Sequence, residues 1–266
     1  GSSPTFVEDG AAVGVFSGTS VGTVESGQTL TGLTLTVMGV VDSTETLTID
    51  GTSIGLTNGA SGTTSTSSLT YVVSVSSGTA TVSLTGGSLS AASTQTLVDG
   101  VSYSNSSHSP TAGSRVVTLT GLQDSGGVAN GGNDTATLSV ASTVGVTPVN
   151  DAPMLGGGSH SLTSTNEDTT SSSTQVSAVL TGLGYTDADG GTQGMAVTAA
   201  TGNGTWQFST DNSTWTNFGS VSEGSALLLT STSYIRYIPD GVSGETPALT
   251  VRGWDQTSGS GSTNGS

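Results

Sequence analysis

Short runs in which an apolar residue alternates with a small polar one recur along the whole chain. In Leu30–Val41, Leu33, Leu35 and Val37 alternate with Thr34 and Thr36, the period-two pattern of a strand with one face buried. Val13–Phe16, Thr44–Asp50, Leu69–Ser76, Gly78–Leu84, Ser114–Leu122 and Asp134–Val149 follow the same rule, with turns at Asp50-Gly51 and Ser76-Ser77-Gly78. Leu89–Val98 breaks the rhythm. Ala91, Ala92, Gln95, Leu97 and Val98 suit one short helix, with a serine before it as cap and Gly100 after it.

The second half repeats the grammar with other residues. Met195–Thr201, Thr205–Thr210, Thr214–Phe218, Ala226–Thr230, Tyr234–Ile238 and Ala248–Trp254 read as short strands between Gly, Asn, Asp and Pro turns. Trp206, Trp215 and Trp254 all fall here and are expected to anchor a core. The pattern predicts an all-β protein of two tandem antiparallel β-sandwiches, residues 1–151 and 152–266, the first with one short helix.

Between the halves lies Thr147-Pro-Val-Asn-Asp-Ala-Pro153. Its two prolines fix one dihedral each and push their predecessors to extended conformations, so it reads as a stiff joint. Asp124 follows the penultimate strand of the first half, and Asp255 holds the matching place in the second. A full strand follows Asp124, whereas only Gly, Ser and other small polar residues follow Asp255. The second half is therefore expected to lack its final strand. Either the sequence is cut from something longer, or a neighbouring chain donates the strand.

Composition narrows the chemistry. The 266 residues carry 3 Lys+Arg against 19 Asp+Glu, a net charge of -16. Nucleic acid and anionic membrane both need clustered cations, so neither suits as a partner. No apolar run approaches the roughly 20 residues of a membrane span, and no charged-then-apolar leader opens the sequence. Without cysteine, disulfides and thiolate metal sites are ruled out. Charged residues total only 8%, so acidic residues that share loops need individual explanation.

Val149-Asn-Asp-Ala-Pro153, then Asn166-Glu-Asp-Thr169 and Asp187-Ala-Asp-Gly190, resemble motifs of the tandem cadherin-like and Ig-like repeats of giant bacterial surface adhesins, of the calcium-dependent, biofilm-forming type. Phe6-Val-Glu-Asp-Gly-Ala-Ala-Val13 with Ser90–Tyr103, and Gly204–Asp211 with Ile235–Gly241, resemble them too. The resemblance implies Ca²⁺-stiffened extender repeats, extracellular on the bacterial cell surface. The other repeats of the same long chain would be its neighbours. Carried over by position, a junction site would gather Glu8, Asp124, Asn150, Asp151, Asp187 and Asp189. Glu167, Asp168 and Asp255 would form a half-site at the far end of the second domain. The Asp-Arg-Glu element of animal cadherins has no counterpart. Ca²⁺ also suits the residues themselves: it takes 6–8 oxygen ligands in irregular geometry. Zinc or copper would call on His108 and His160 alone.

Other readings carry less. Gly131-Gly-Asn-Asp-Thr-Ala136 is similar to one turn of a glycine-rich calcium repeat, but that architecture needs several stacked turns. Ser209–Trp215 resembles a propeller Asp-box hairpin one residue short, and reads as a turn in which Asp211 binds backbone amides. Asp50, Asp99 and Asp240 read as turn formers or strand-end caps. No lysine is present, and neither histidine has a nucleophile-elbow context, so no enzyme is expected. Two alternatives remain: a carbohydrate- or ligand-binding module using Trp206 and Trp215, or a polymer or surface-layer subunit completed by strand donation.

Overall fold

The computed structural model describes residues 2–23, 27–129 and 132–264. The chain divides into two compact units, with the boundary between Val149 and Asn150. In both, strand outweighs helix and the strands form two sheets. No helix among the described residues is long and apolar enough to cross a membrane.

The first unit runs β1 (Thr5–Val7), β2 (Val13–Gly14), β3 (Leu30–Met38), β4 (Glu45–Ile49), β5 (Thr52–Gly55), β6 (Ser61–Thr63), β7 (Thr70–Ser76), β8 (Thr79–Leu89), α1 (Ala91–Asp99), β9 (Ser102–Asn105), β10 (Gly113–Asp124) and β11 (Thr135–Thr147). One sheet has the order β1-β11-β10-β3-β8-β7-β6, the other β2-β9-β4-β5. The alternation of β3 puts Leu33, Leu35 and Val37 into a core shared with Leu47, Ile49 and Ile54 of the second sheet and Val82 and Val117 of the first. Ser90 caps α1 through its hydroxyl, which accepts from Ser93 N at 3.1 Å, as the serine-before, glycine-after pattern predicts.

The second unit contains β12 (Thr174–Gln175), α2 (Val176–Gly182), β13 (Gly194–Ala200), β14 (Thr205–Ser209), β15 (Thr216–Asn217), β16 (Leu227–Thr230), β17 (Tyr234–Ile238) and β18 (Leu249–Trp254). Its sheets have the orders β12-β17-β14-β15 and β16-β13-β18. The strand grammar did not predict α2. Val176, Val179 and Leu180 are buried at helical spacing on one face, within a stretch too short for that period to stand out. Trp206 lies in this core against Tyr237 and Phe218. Trp254 is buried instead under the loop after β18, with Nε1 donating to Ser258 O at 2.7 Å. Trp215 is half-buried beneath the Arg236 guanidinium, 4.0 Å from its ring centre.

A closed ionic network pins the sheets of the first unit together. Arg115 on β10 is 2% exposed and Glu45 on β4 is 0% exposed. Arg115 Nε donates to Glu45 Oε2 at 2.8 Å, the Tyr103 hydroxyl donates to the same oxygen at 3.0 Å, and Glu45 Oε1 accepts from the amides of Val41 and Asp42. Asp42 accepts from Asn105, Thr111 and Arg115. Burial opposes ionisation of Asp42, but the bonds from Thr111 and Asn105 and the Arg115 charge hold it below the usual carboxylate range. Burial, and then the Glu45 charge, push Tyr103 upward. Removing one partner strands a charge in a dry core. Arg115→Ala should therefore cost the first unit about 3–5 kcal/mol, read from its denaturant midpoint, while replacing Arg115, Glu45 and Tyr103 together with apolar residues should cost much less.

Candidate metal centre

At the pole of the second unit where its chain begins, the side chains of Asn150, Asp187, Asp189 and Asp255 gather around the backbone of Asp151. Asp151 N donates to Asp189 Oδ2 at 2.5 Å, and Asp189 N donates to Asp187 Oδ1 at 3.1 Å. Asn150 Nδ2 donates to Asp255 Oδ2 at 2.7 Å. The Tyr185 hydroxyl closes the set, 3.4 Å from both Asp187 Oδ2 and Trp254 O. Burial, then the negative charges of Asp187 and Asp255, push that hydroxyl up to about 12. Local geometry explains the arrangement. Asp187-Ala-Asp189 is an Asx-type turn closed by Gly190 at φ 68°. Asp255 leaves β18 at the same end as Gly194, because Gly194 pairs with Trp254.

The charge of this pole is not balanced by any arginine. The chain has three: Arg115 is held by Glu45, Arg236 lies over Trp215, and Arg252 pairs with Glu223 at 2.9 Å. Three carboxylates, those of Asp187, Asp189 and Asp255, therefore share a small region without a guanidinium, and the sequence has no lysine. Such a set repels itself unless a cation or protons neutralise it. All the donors are oxygens, from side chains or nearby carbonyls, which suits a hard divalent cation such as Ca²⁺.

Glu8, in the first unit, stands where that unit's chain leaves. Its amide donates to Thr147 O at 3.0 Å, and Val149 N donates to its Oε2 at 2.7 Å. The side chain is 5% exposed, yet Oε1 has no hydrogen-bond partner among the described residues. A buried carboxylate oxygen in that state demands a cation or a solvent partner.

Two expected ligands belong elsewhere. Asp124 ends β10 beside Leu30 and Thr135, whereas Gly113 at the other end of β10 pairs with Val146. Those ends are on the order of 35 Å apart along the strand, so Asp124 is at the opposite pole from Glu8 and Val149. Its Oδ1 instead accepts from Gly126 N at 2.8 Å. The expected grouping of Asp255 with Glu167 and Asp168 is also corrected. β16 and β17 turn at the pole of Asp255, where Ser231 N and Gln256 Nε2 both donate to Gln193 O. β17 then runs away, and Asp168 lies beyond its end near Gly241. Glu167 and Asp168 are exposed in a turn closed by Thr169 N on Asn166 O. Both errors have one cause: a strand that runs back antiparallel ends at the pole where its own unit began.

Other acidic residues behave as turn formers. Asp211 Oδ1 accepts from Ser213 N, Thr214 N and the Ser209 hydroxyl, and these backbone bonds hold it well below the usual carboxylate range. Asp50 accepts from Thr64 and Ser67, Asp99 from Thr19 N, and Asp240 from Val242 N. Gly131 lies outside the described residues, and the adjoining Asn133 and Asp134 bond to Thr135 at the start of β11. Sequence reasoning missed Tyr185. The available signal was its two-residue spacing from Asp187, which aims both side chains to one side of an extended segment.

The chain matches no protein-family model, no curated protein and no solved structure.

The Asn150–Asp255 bond gives this pole a pH signature. The Asn150 amide, then the Thr257 amide, hold Asp255 below its ordinary value. A depressed folded-state value means the stabilisation is present above the unfolded carboxylate range and lost as pH falls through the folded one. The Asn150 side-chain amide resonance should stay constant from neutral pH to about pH 5, then move as pH drops below about 4. In Asp255→Asn that transition should disappear.

Proposed function

We propose that the chain is a pair of extender repeats, two tandem antiparallel β-sandwiches from a secreted bacterial surface adhesin, stiffened by Ca²⁺. The observation that carries this reading is the cluster of Asp187, Asp189 and Asp255 around the Asn150 side chain and the Asp151 amide, with no arginine among them. A cation there would clamp Asn150 and Asp151 to the second repeat, so tension along the chain would meet a fixed peptide rather than a swivel. The orphaned Glu8 oxygen suits the same chemistry at the end of the first repeat. The role is mechanical and places the protein outside the cell, where millimolar Ca²⁺ fills weak sites of this class. Neighbouring repeats would be its partners. A carbohydrate module built on Trp206 and Trp215 is less favoured, since Trp206 is only 8% exposed and Arg236 covers Trp215.

Ca²⁺ at a hundredfold excess over its Kd should stabilise the second repeat by about 2.7 kcal/mol, read as a rise in its melting temperature that chelator reverses. The double variant Asp187→Asn, Asp189→Asn should bind at least about tenfold more weakly by calorimetry (about 1.4 kcal/mol). It should keep its apo melting temperature, because it also removes the mutual repulsion. Identical melting curves in Ca²⁺ and in chelator would rule out the metal reading.

A further inference from the structure

The stretch after β18, residues 256–264, holds only Gly, Ser, Thr, Asn and Gln, a composition that marks no element. It nevertheless follows a defined path over the second unit. Gln256, at φ 62°, turns the chain back, and its Nε2 donates to Gln193 O at 2.8 Å. Ser258 O accepts from Trp254 Nε1 at 2.7 Å. The chain then passes so close to β16 that a Cβ at Gly259 would stand 2.7 Å from Leu228 Cδ1, and one at Gly261 3.1 Å from Thr230 Cγ2. Ser262 N donates to Leu228 O at 2.8 Å, and Asn264 Oδ1 accepts from Thr210 N at 2.9 Å.

Those last two bonds fall on different sheets. Leu228 belongs to β16, at the edge of the β16-β13-β18 sheet, whereas Thr210 directly follows β14 of the β12-β17-β14-β15 sheet. Ser262–Asn264 therefore bridges the two layers. The edge it meets needs a cover. β16 reads Leu227-Leu-Leu-Thr230, without charge or proline, and its pairing with β13 has no bulge. Natural edge strands use those devices to avoid pairing with another chain. Here the Leu228 carbonyl, which the Ser262 amide occupies, is held by the returning segment instead.

We propose that residues 256–264 are a strap that clasps the two sheets of the second unit and shields the edge of β16 from a second copy of the chain. The residue types fit the task. Gly259 combines φ 75° with its close approach to Leu228, so a side chain there would be strained on both counts. Asn264 supplies the acceptor that the Thr210 amide uses. Few bonds hold the strap and none of its residues is buried, so it opens at a lower free energy than the unit unfolds. Opening bares the Leu228 carbonyl and the Trp254 indole N–H together. The edge of β16 is thus a conditional pairing surface, closed while the strap is closed.

Amide exchange and sedimentation on the whole chain test this, in chelator and at about 0.15 M salt, where charge repulsion between copies is screened beyond about 8 Å. In the native chain the Ser262 and Thr210 amides should be protected, yet exchange at least about tenfold faster than those of β13. The double variant Ser262→Pro, Asn264→Ala removes both clasp bonds and no core side chain. It should keep the protection of β13, lose that of Thr210, and dimerise at concentrations where the native chain is monomeric. Adding Leu228→Lys, which places a charge on the bared edge, should restore the monomer. Unprotected Ser262 and Thr210 amides in the native chain would overturn the strap, and exchange as slow as that of β13 would overturn its separate opening. A double variant that stays monomeric, or that dimerises equally with Leu228→Lys, would overturn the shielding. None of these readouts involves a metal ion, so the outcome is independent of the Ca²⁺ reading.

Discussion

Alternation along antiparallel strands is the constraint on which everything else here rests. Apolar residues make up 32% of the chain, so a core can be assembled only if nearly every strand devotes one face to it. β3 and β4 do so with buried residues at every second position. The faces left over carry Thr and Ser, which tolerate solvent and pair across strands at little cost. The same antiparallel order decides which loops share a pole. That is why Asp255 stands beside Asn150, and why Asp124 stands far from Glu8. The chemistry of this protein is set by strand direction as much as by residue type.

Scarce positive charge is the second constraint. One arginine holds a core together, one covers a tryptophan ring, and one lies in an exposed pair. The exposed pair contributes little in water, whereas the buried one sits in a network whose every member has a partner. No arginine remains for the pole of Asp151, Asp187, Asp189 and Asp255. There the backbone amides of Asp151 and Asp189 and the Asn150 side chain supply partial positive charge. Amide dipoles steady a carboxylate but do not cancel three of them, and burial together with the Asp187 and Asp255 charges lifts the Tyr185 hydroxyl. None of the three arginines stands at this pole to complete that electrostatics.

Legibility in the sequence followed the length of the pattern. Tyr234–Ile238 and the long strands of the first unit were readable because alternation over five or more residues fixes both state and face. The helix Ala91–Asp99 was readable from its caps. The helix Val176–Gly182 was not: it spans two turns, lacks a side-chain cap, and its three buried residues fit either period over so short a run. Short partners such as β1 and β9 are strands only because a neighbour pairs with them, which no local pattern reveals. At the candidate site, Asn150 and Asp151 stand out within the joint, and Asp187 and Asp189 as an Asp-Ala-Asp motif well after it. Asp124 and Asp255 were misplaced because the end of a strand names a pole only once its direction is known.

The same dependence on neighbours gives the second unit its particular character. β11 and β1 are regular because each is bonded to the other, and Phe6 is buried as a consequence. Residues 159–164 follow bends at Gly157 and Gly158 and form no ladder among the described residues. Intrinsic strand preference spans only about 1 kcal/mol per residue and follows context, so a lone segment of this composition cannot order itself. Leu249 and Val251 of β18 stay half-buried although β18 is fully laddered to β13. Where main-chain bonding supplies the order, a segment of this composition is a strand or an irregular stretch according to whether a neighbour pairs with it.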